Sequence, residues 1–352
     1  MRKYLRMLVL CISNRQKSET LFSTFVGLCN TASAEAYKQR QYCYQLFQSD
    51  CNMVIATIAA ALDAAAARSP SRLALTSPCQ SNQKFTYEEL RRITNSLAGW
   101  LSLYGLEKND VIISDLPNIS ENLMLQVACN RLGVGYGTAE NIEAMAKFPK
   151  VKGAVSSSGT GFLADTNLPL PVLSGEFLLD LIHGGGLEGF GGGEELDDGN
   201  EDTSHGFYNS VTGYTNAQAL LHGQEAVHAL PVIEDDVVCV SVTLCHPFGI
   251  GSAVCSAFLT GATLALPAVG GIQGCGVPSE RAAATLEVLE SEKCTLLFAD
   301  THTLDALPDL SLEQEQRLAL RGGVCKIGSG STYLEETREY AKAKLRTMGK
   351  AP

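Results

Sequence analysis

The chain has 352 residues, a net charge of −11, 45% hydrophobic and 18% charged residues. That length buries a sizeable core in one large or two medium domains, and the composition is globular, not disordered. The acidic balance argues against a nucleic-acid surface, which needs basic patches. No apolar run reaches the roughly 18 to 20 residues of a membrane span.

The twelve cysteines fall at irregular positions and form no CxxC pair. Several (Cys129, Cys239, Cys255, Cys294) lie inside apolar runs, which predicts buried free thiols in a reducing compartment, not a zinc or disulfide framework. The N-terminus carries Arg2, Lys3, Arg6, Arg15 and Lys17 before its first acid, Glu19. Basic, hydroxyl-bearing and acid-poor is the composition of a mitochondrial transit segment; a secretory signal or a cytoplasmic chain is the alternative.

Residues 1–50 read as an extension, helical in places, ahead of one domain over 51–352. Asn52 to Arg68 is alanine-rich and predicts a helix ended by Ser69-Pro70. Arg72–Thr76 and Lys84–Thr86 read as strands around a turn at Pro78–Asn82. Thr86 with Glu89 makes a capping box, and Leu90, Ile93, Leu97 and Leu101 continue at helical spacing to about Leu103. Gly105 closes that helix, Asp110–Leu116 is a buried strand, and Ser120–Arg131 is the next helix. Gly135–Thr138, Val151–Ser157 and Pro171–Leu173 are short extended pieces. Strands alternating with helices predict a parallel sheet with crossover helices.

Residues 184–204 hold eight glycines and seven acids, too polar and flexible for a core, and predict a solvated surface insertion. After Phe207–His222, Asp236–Thr243 is a buried strand, His246–Gly249 a turn, and Gly251–Thr260 an apolar helix. Strands are predicted at Thr263–Pro267, Thr295–Ala299 and Val324–Ile327. Helices are predicted at Pro278–Glu292, Thr303–Leu307 and Leu334–Thr347.

The central stretch, FYNSVTGYTNAQALLH (Phe207–His222), has the small and hydroxyl residues of a loop that cradles phosphate on backbone N–H groups. It holds one glycine, Gly213, and no Lys or Arg; the nearest basic side chains in sequence are Lys152 and Arg281. A nucleotide-triphosphate loop normally adds a lysine.

Phe85–Tyr136, Asp235–Ala268 and the segment SERAAATLEVLESEKCTLLFADTHTLDAL resemble, in order, successive segments of the adenylate-forming enzymes. That family includes acyl-CoA synthetases, peptide-synthetase adenylation domains and luciferases. The resemblance runs over roughly Met53–Leu345. It implies an α/β fold, the layered parallel-sheet N-terminal domain of the acyl-CoA synthetase type, incomplete and without the C-terminal lid domain. The family's phosphate loop follows YTSGTTG-x-PKG; its counterpart here is Tyr208–Gly213, with Thr215-Asn216-Ala217 in place of Pro-Lys-Gly. The resemblance thus marks Ser210, Thr212, Gly213 and His246 as vestigial nucleotide- or acyl-binding positions, with His222 where the family often has a histidine. Gly328-Ser329-Gly330 resembles the turn that approaches adenosine, and the sequence stops at Pro352 ahead of the family's YGxTE motif.

The expectation is therefore a catalytically inactive, acyl-CoA-synthetase-like protein with no catalytic residues, cofactor or metal. It would be a structural or assembly subunit of a larger, mitochondrial complex, binding other protein subunits and not nucleic acid. Two alternatives stand beside it: an acyl or aryl adenylate-forming ligase with an altered or split site, and a non-catalytic acyl- or nucleotide-binding module.

Overall fold

The computed structural model describes residues 55–138, 142–157, 172–190, 205–209, 212–268 and 277–350. The chain divides into Met1–Val54 and Ile55–Pro352, and all described residues belong to the second unit. The expected extension over 1–50, most of the acidic glycine-rich insertion, and Ser210 lie outside the described residues.

Helix α1 (Ile58–Arg68) starts on the Thr57 side chain, which accepts the Ala60 N–H. Strands β1 (Leu73–Ser77) and β2 (Gln83–Thr86) form an antiparallel pair, and α2 (Tyr87–Leu103) opens on the Thr86–Glu89 capping box foreseen in the sequence. Its apolar stripe, Leu90, Ile93, Leu97 and Leu101, is buried. Next come β3 (Val111–Ser114), α3 (Ser120–Arg131), β4 (Gly135–Gly137), α4 (Ile142–Met145), β5 (Val151–Ser156), β6 (Val172–Ser174) and α5 (Gly175–His183). The hairpin β7 (His205–Asn209) and β8 (Thr212–Thr215) leads into α6 (Asn216–Ala229), followed by β9 (Val237–Ser241).

A π-helix over Pro247–Val254 runs into α7 (Cys255–Thr260). The expected turn at His246–Gly249 is thus already helical from Pro247. The remaining elements are β10 (Thr263–Ala265), α8 (Pro278–Ser291), β11 (Leu296–Asp300), α9 (Thr301–Ala306), α10 (Leu312–Arg317), β12 (Gly322–Lys326), β13 (Thr332–Tyr340) and β14 (Ala343–Gly349).

The helix expected over Leu334–Thr347 is instead the β13–β14 hairpin, turned by positive φ at Ala341 and Lys342. Glu, Arg, Lys, Ala and Leu favour a helix locally, but β14 completes a parallel ladder with β12, from Gly323 opposite Leu345 to Lys326 opposite Met348. Tertiary pairing overrides propensity here.

Two sheets result. One has eight strands in the order β13-β14-β12-β11-β9-β10-β1-β2, the other six in the order β6-β5-β3-β4-β7-β8. Both are parallel except at antiparallel edge hairpins, β1–β2 and β13–β14 in the first and β7–β8 in the second. Side chains alternate across the large sheet. Val238, Val240, Leu296, Phe298, Val324 and Met348 face the main core, shared with α1, α2, α3, α6, the π-helix and the small sheet. Cys239, Leu297, Ala299, Cys325 and Leu345 face a second core under α8 and α9. The buried cysteines expected from their apolar runs are free thiols. Among the described residues no helix is long and apolar enough to cross a membrane.

Two contacts fix the geometry of the cleft. Asn118, after β3, donates to Val242 O and accepts from Leu244 N, tying the C-terminal ends of the two sheets together. Helix α6 lies so close to the π-helix and α7 that a Cβ on Gly223 would stand 2.6 Å from Cys255 Cβ, with Cys255 C and Ser256 N at 3.0 and 3.1 Å. Gly223→Ala should therefore cost about 1–3 kcal/mol by overpacking. The expected readout is a lower denaturant midpoint at unchanged slope; an unchanged midpoint would mean that α6 is not seated this tightly.

Candidate functional site

The stretch read as a phosphate loop is a tight hairpin. Phe207 pairs with Tyr214, Tyr208 with Gly213 and Asn209 with Thr212, so only residues 210 and 211 lie between the paired strands. The Phe207 and Tyr214 rings stack with centroids 5.0 Å apart. Thr212 and Gly213 are thus rungs of an antiparallel ladder, not members of a loop that could wrap an anion. Ser210 lies outside the described residues. Beyond the hairpin, Thr215 caps α6: its hydroxyl accepts from Gln218 N, and the Gln218 side chain accepts from Thr215 N at 2.9 Å. Two N–H groups that an anion could otherwise engage, those of Thr215 and Gln218, already have partners.

His246 sits elsewhere, in the cleft outside the C-terminal ends of β9, β11 and β12, where open parallel sheets bind ligands. It caps the π-helix, Nδ1 accepting from Phe248 N at 3.0 Å. Burial, seconded by Lys326 and His222 and opposed by Asp300, pushes its pKa down to about 4. His222, on α6, lies under the π-helix; a Cβ on Gly251 would meet its Cβ at 3.1 Å. Its Nδ1 is 3.6 Å from Glu225 Oε2, beyond hydrogen-bond reach, and burial lowers its pKa against the pull of Glu225.

The structure adds three residues that the sequence reading did not single out. Lys326, the last residue of β12, is buried and donates to Gly328 O at 2.8 Å and to Gly330 O, holding the glycine turn. Asp300, the last residue of β11, stands beside it in register. The Asp300 carboxylate caps α9 through Thr303 N and Oγ1 at 2.7 and 2.8 Å, and its other oxygen is 3.4 Å from Arg281 Nη1. Arg281 is almost fully buried, and burial lowers its pKa. The signal was present: Ser241, Asp300 and Lys326 each end an otherwise apolar strand on its C-terminal, ligand-facing end. So His222, His246, Lys326 and Asp300 converge, while Thr212 and Gly213 belong to a separate hairpin. Among the described residues no three His, Cys, Asp or Glu side chains form a metal-binding group.

Residues 62–140 match the model of the AMP-binding enzyme family. The fold is that of solved adenylate-forming proteins. A complex of VinN with L-aspartate is 17% identical, with TM-score 0.60, covering 77% of this chain and 69% of that one. The N-terminal domain of FACL13 from Mycobacterium tuberculosis is 14% identical, with TM-score 0.59 and the same coverages, 77% and 69%. Klebsiella oxytoca NpsA in complex with 3-hydroxyanthranilyl-AMSN is 18% identical, with TM-score 0.61, covering 79% and 54%. No curated protein matches. The chain has the fold of the adenylate-forming superfamily, in its N-terminal domain.

The cleft histidines make stability pH-dependent. His246 is kept neutral in the folded protein down to about pH 4 but takes a proton near 6.5 when unfolded. The unfolded chain therefore binds more protons between those values. The stabilisation is complete above pH 6.5 and is lost as pH falls toward 4, an effect on the order of 3 kcal/mol. His246→Asn keeps a capping oxygen for Phe248 N. It should flatten the fall in unfolding free energy between pH 6.5 and 4, as read from denaturant titrations; an unaltered slope would mean that His246 is solvated.

Proposed function

We propose that this chain is a relative of the adenylate-forming enzymes that does not adenylate, and serves as a structural or assembly subunit of a larger mitochondrial protein complex. The observation that carries this reading is the β7–β8 connection. A triphosphate and its metal require several converging backbone N–H groups and a cation. Two residues between paired strand ends offer neither the length nor the charge, and residues 153–280 contain no Lys or Arg at all.

A protein-binding role is supported by the surface. Trp100, the only tryptophan, stacks on Tyr104 at 5.2 Å and meets Phe177 at 5.9 Å, beside Leu103, whose exposure is 78%. Clustered exposed aromatics are the usual anchors of protein interfaces. The mitochondrial assignment rests on the basic, acid-poor N-terminal composition. A second reading, a non-catalytic module for a small acyl ligand, is favoured by the cleft of His222, His246 and Lys326, which keeps polar groups at strand ends without phosphate-binding machinery.

The test is recovery of the tagged full chain from mitochondria, with calorimetric ATP titration and ATP–pyrophosphate exchange on the purified protein. Stoichiometric recovery in a large complex, with no ATP heat and no exchange, is the expected result. A monomer that binds ATP with micromolar to millimolar affinity and exchanges pyrophosphate would replace this reading with an altered or split ligase.

A further inference from the structure

Three buried polar atoms without hydrogen-bond partners lie along one side of the cleft: Tyr333 Oη, Arg346 Nε and His222 Nδ1. The sheet register explains why they gather. Asp300, Lys326, Met348 and Tyr333 form one row across β11, β12, β14 and β13, and Arg346 is two residues from Met348 on the same face of β14. That face is the inner one, since Phe298, Val324 and Met348 all join the main core and Tyr333 packs against it. The β13–β14 ladder is bulged between Tyr333 and Thr337, the partner of Arg346, and Arg346 still lies close enough to act on the Tyr333 hydroxyl. His222 comes down on this row from α6, close enough that Lys326 acts on its titration.

The charges do not balance within the group. Asp300 is already committed to Thr303 and Arg281, and Lys326 to the carbonyls of Gly328 and Gly330. Glu225 influences both Tyr333 and His222. Its side chain is 43% exposed and stands 3.6 Å from His222 Nδ1, a long contact that pulls on the His222 titration. Burying a donor without an acceptor costs about 1–3 kcal/mol, so Tyr333 Oη and Arg346 Nε, with His222 beside Glu225 close by, favour an acceptor placed among them.

We propose that Tyr333, Arg346 and His222 form a site for a small oxyanion, a carboxylate or phosphate group that enters past Glu225 at the exposed edge of α6 and accepts hydrogen bonds from all three, with Lys326 behind it. Burial raises the Tyr333 hydroxyl pKa and keeps it protonated as a donor. The site requires neither nucleotide binding nor a protein partner, so it stands or falls separately from the subunit role.

The experiment is thermal unfolding of the full chain in sodium acetate or inorganic phosphate, each titrated against chloride at constant ionic strength. A saturable rise in Tm with at least one of the two is expected, and the pair distinguishes a carboxylate site from a phosphate site. Tyr333→Phe and Arg346→Gln should each raise the half-saturating concentration roughly tenfold, the loss of one hydrogen bond to a charged group. Glu225→Gln should lower it by removing a like charge. In chloride alone Tyr333→Phe should be neutral or stabilising, because it deletes a buried unpartnered hydroxyl; it therefore remains a folded control. The site is overturned if neither anion gives a saturable rise, or if the rise is the same in Tyr333→Phe and Arg346→Gln. It is equally overturned if Glu225→Gln abolishes the response, since Glu225 would then be the internal acceptor.

Discussion

The architecture depends on how closely α6 lies against the π-helix and α7. Glycines make the approach possible: Gly223 meets Cys255, and Gly251 meets His222. At its N-terminal end α6 is also tied into a buried amide network. Asn216 accepts from Asn130 Nδ2 and from Ile58 N, while Asn130 Oδ1 accepts from Ala59 N at 2.9 Å. Three helices that share the main core, α1, α3 and α6, are therefore registered by directional bonds as well as by packing. A fully satisfied buried network of this kind specifies one arrangement, because breaking any member strands the others in a low-dielectric interior. With α6 fixed, the β7–β8 hairpin at its start and the polar row beneath it are fixed too.

Charge is distributed unequally around the cleft that α6 roofs. The stretch from Lys152 to Arg281 includes the β7–β8 hairpin, α6, the π-helix and α7, and contributes no Lys or Arg between its ends. The cations arrive from the opposite side, on β12, β14 and α8 as Lys326, Arg346 and Arg281. Burial lowers the pKa of both cleft histidines, His222 and His246, so they add little positive charge to that stretch. The electrostatics thus favour a small, singly or doubly charged group on the strand side over a nucleotide spanning the whole cleft.

Much of this was legible in the sequence where local and long-range preferences agree. The Thr86–Glu89 box, the Leu90–Leu101 stripe and the Ser120–Arg131 helix appear where their patterns place them. Thr212 and Gly213, of loop composition, pair locally with Asn209 and Tyr208. The helix read over Leu334–Thr347 failed because its residues have helical propensity while β14 pairs with the remote β12. Sheet pairing is a non-local term that a window of residues does not contain. The cleft was half legible: His246 and His222 stood out as histidines near turns, whereas Lys326 and Asp300 become a pair only once β11 and β12 are set side by side.

The junction between β8 and α6 shows how a helix start can be capped by the chain's own side chains. A helix N-terminus exposes N–H groups that need acceptors, and in phosphate-binding folds the ligand supplies some of them. Here Thr215 and Gln218 exchange hydrogen bonds in a capping box, so two N–H groups at the start of α6, those of Thr215 and Gln218, are satisfied without an anion. The stacked Phe207 and Tyr214 rings brace the strands on either side of the short connection. On the strand side Tyr333, Arg346 and His222 keep buried polar atoms without hydrogen-bond partners. The contrast is one of local chemistry: at the start of α6 neighbouring side chains cap each other, whereas polar groups brought together by sheet pairing have no near neighbour in sequence to cap them.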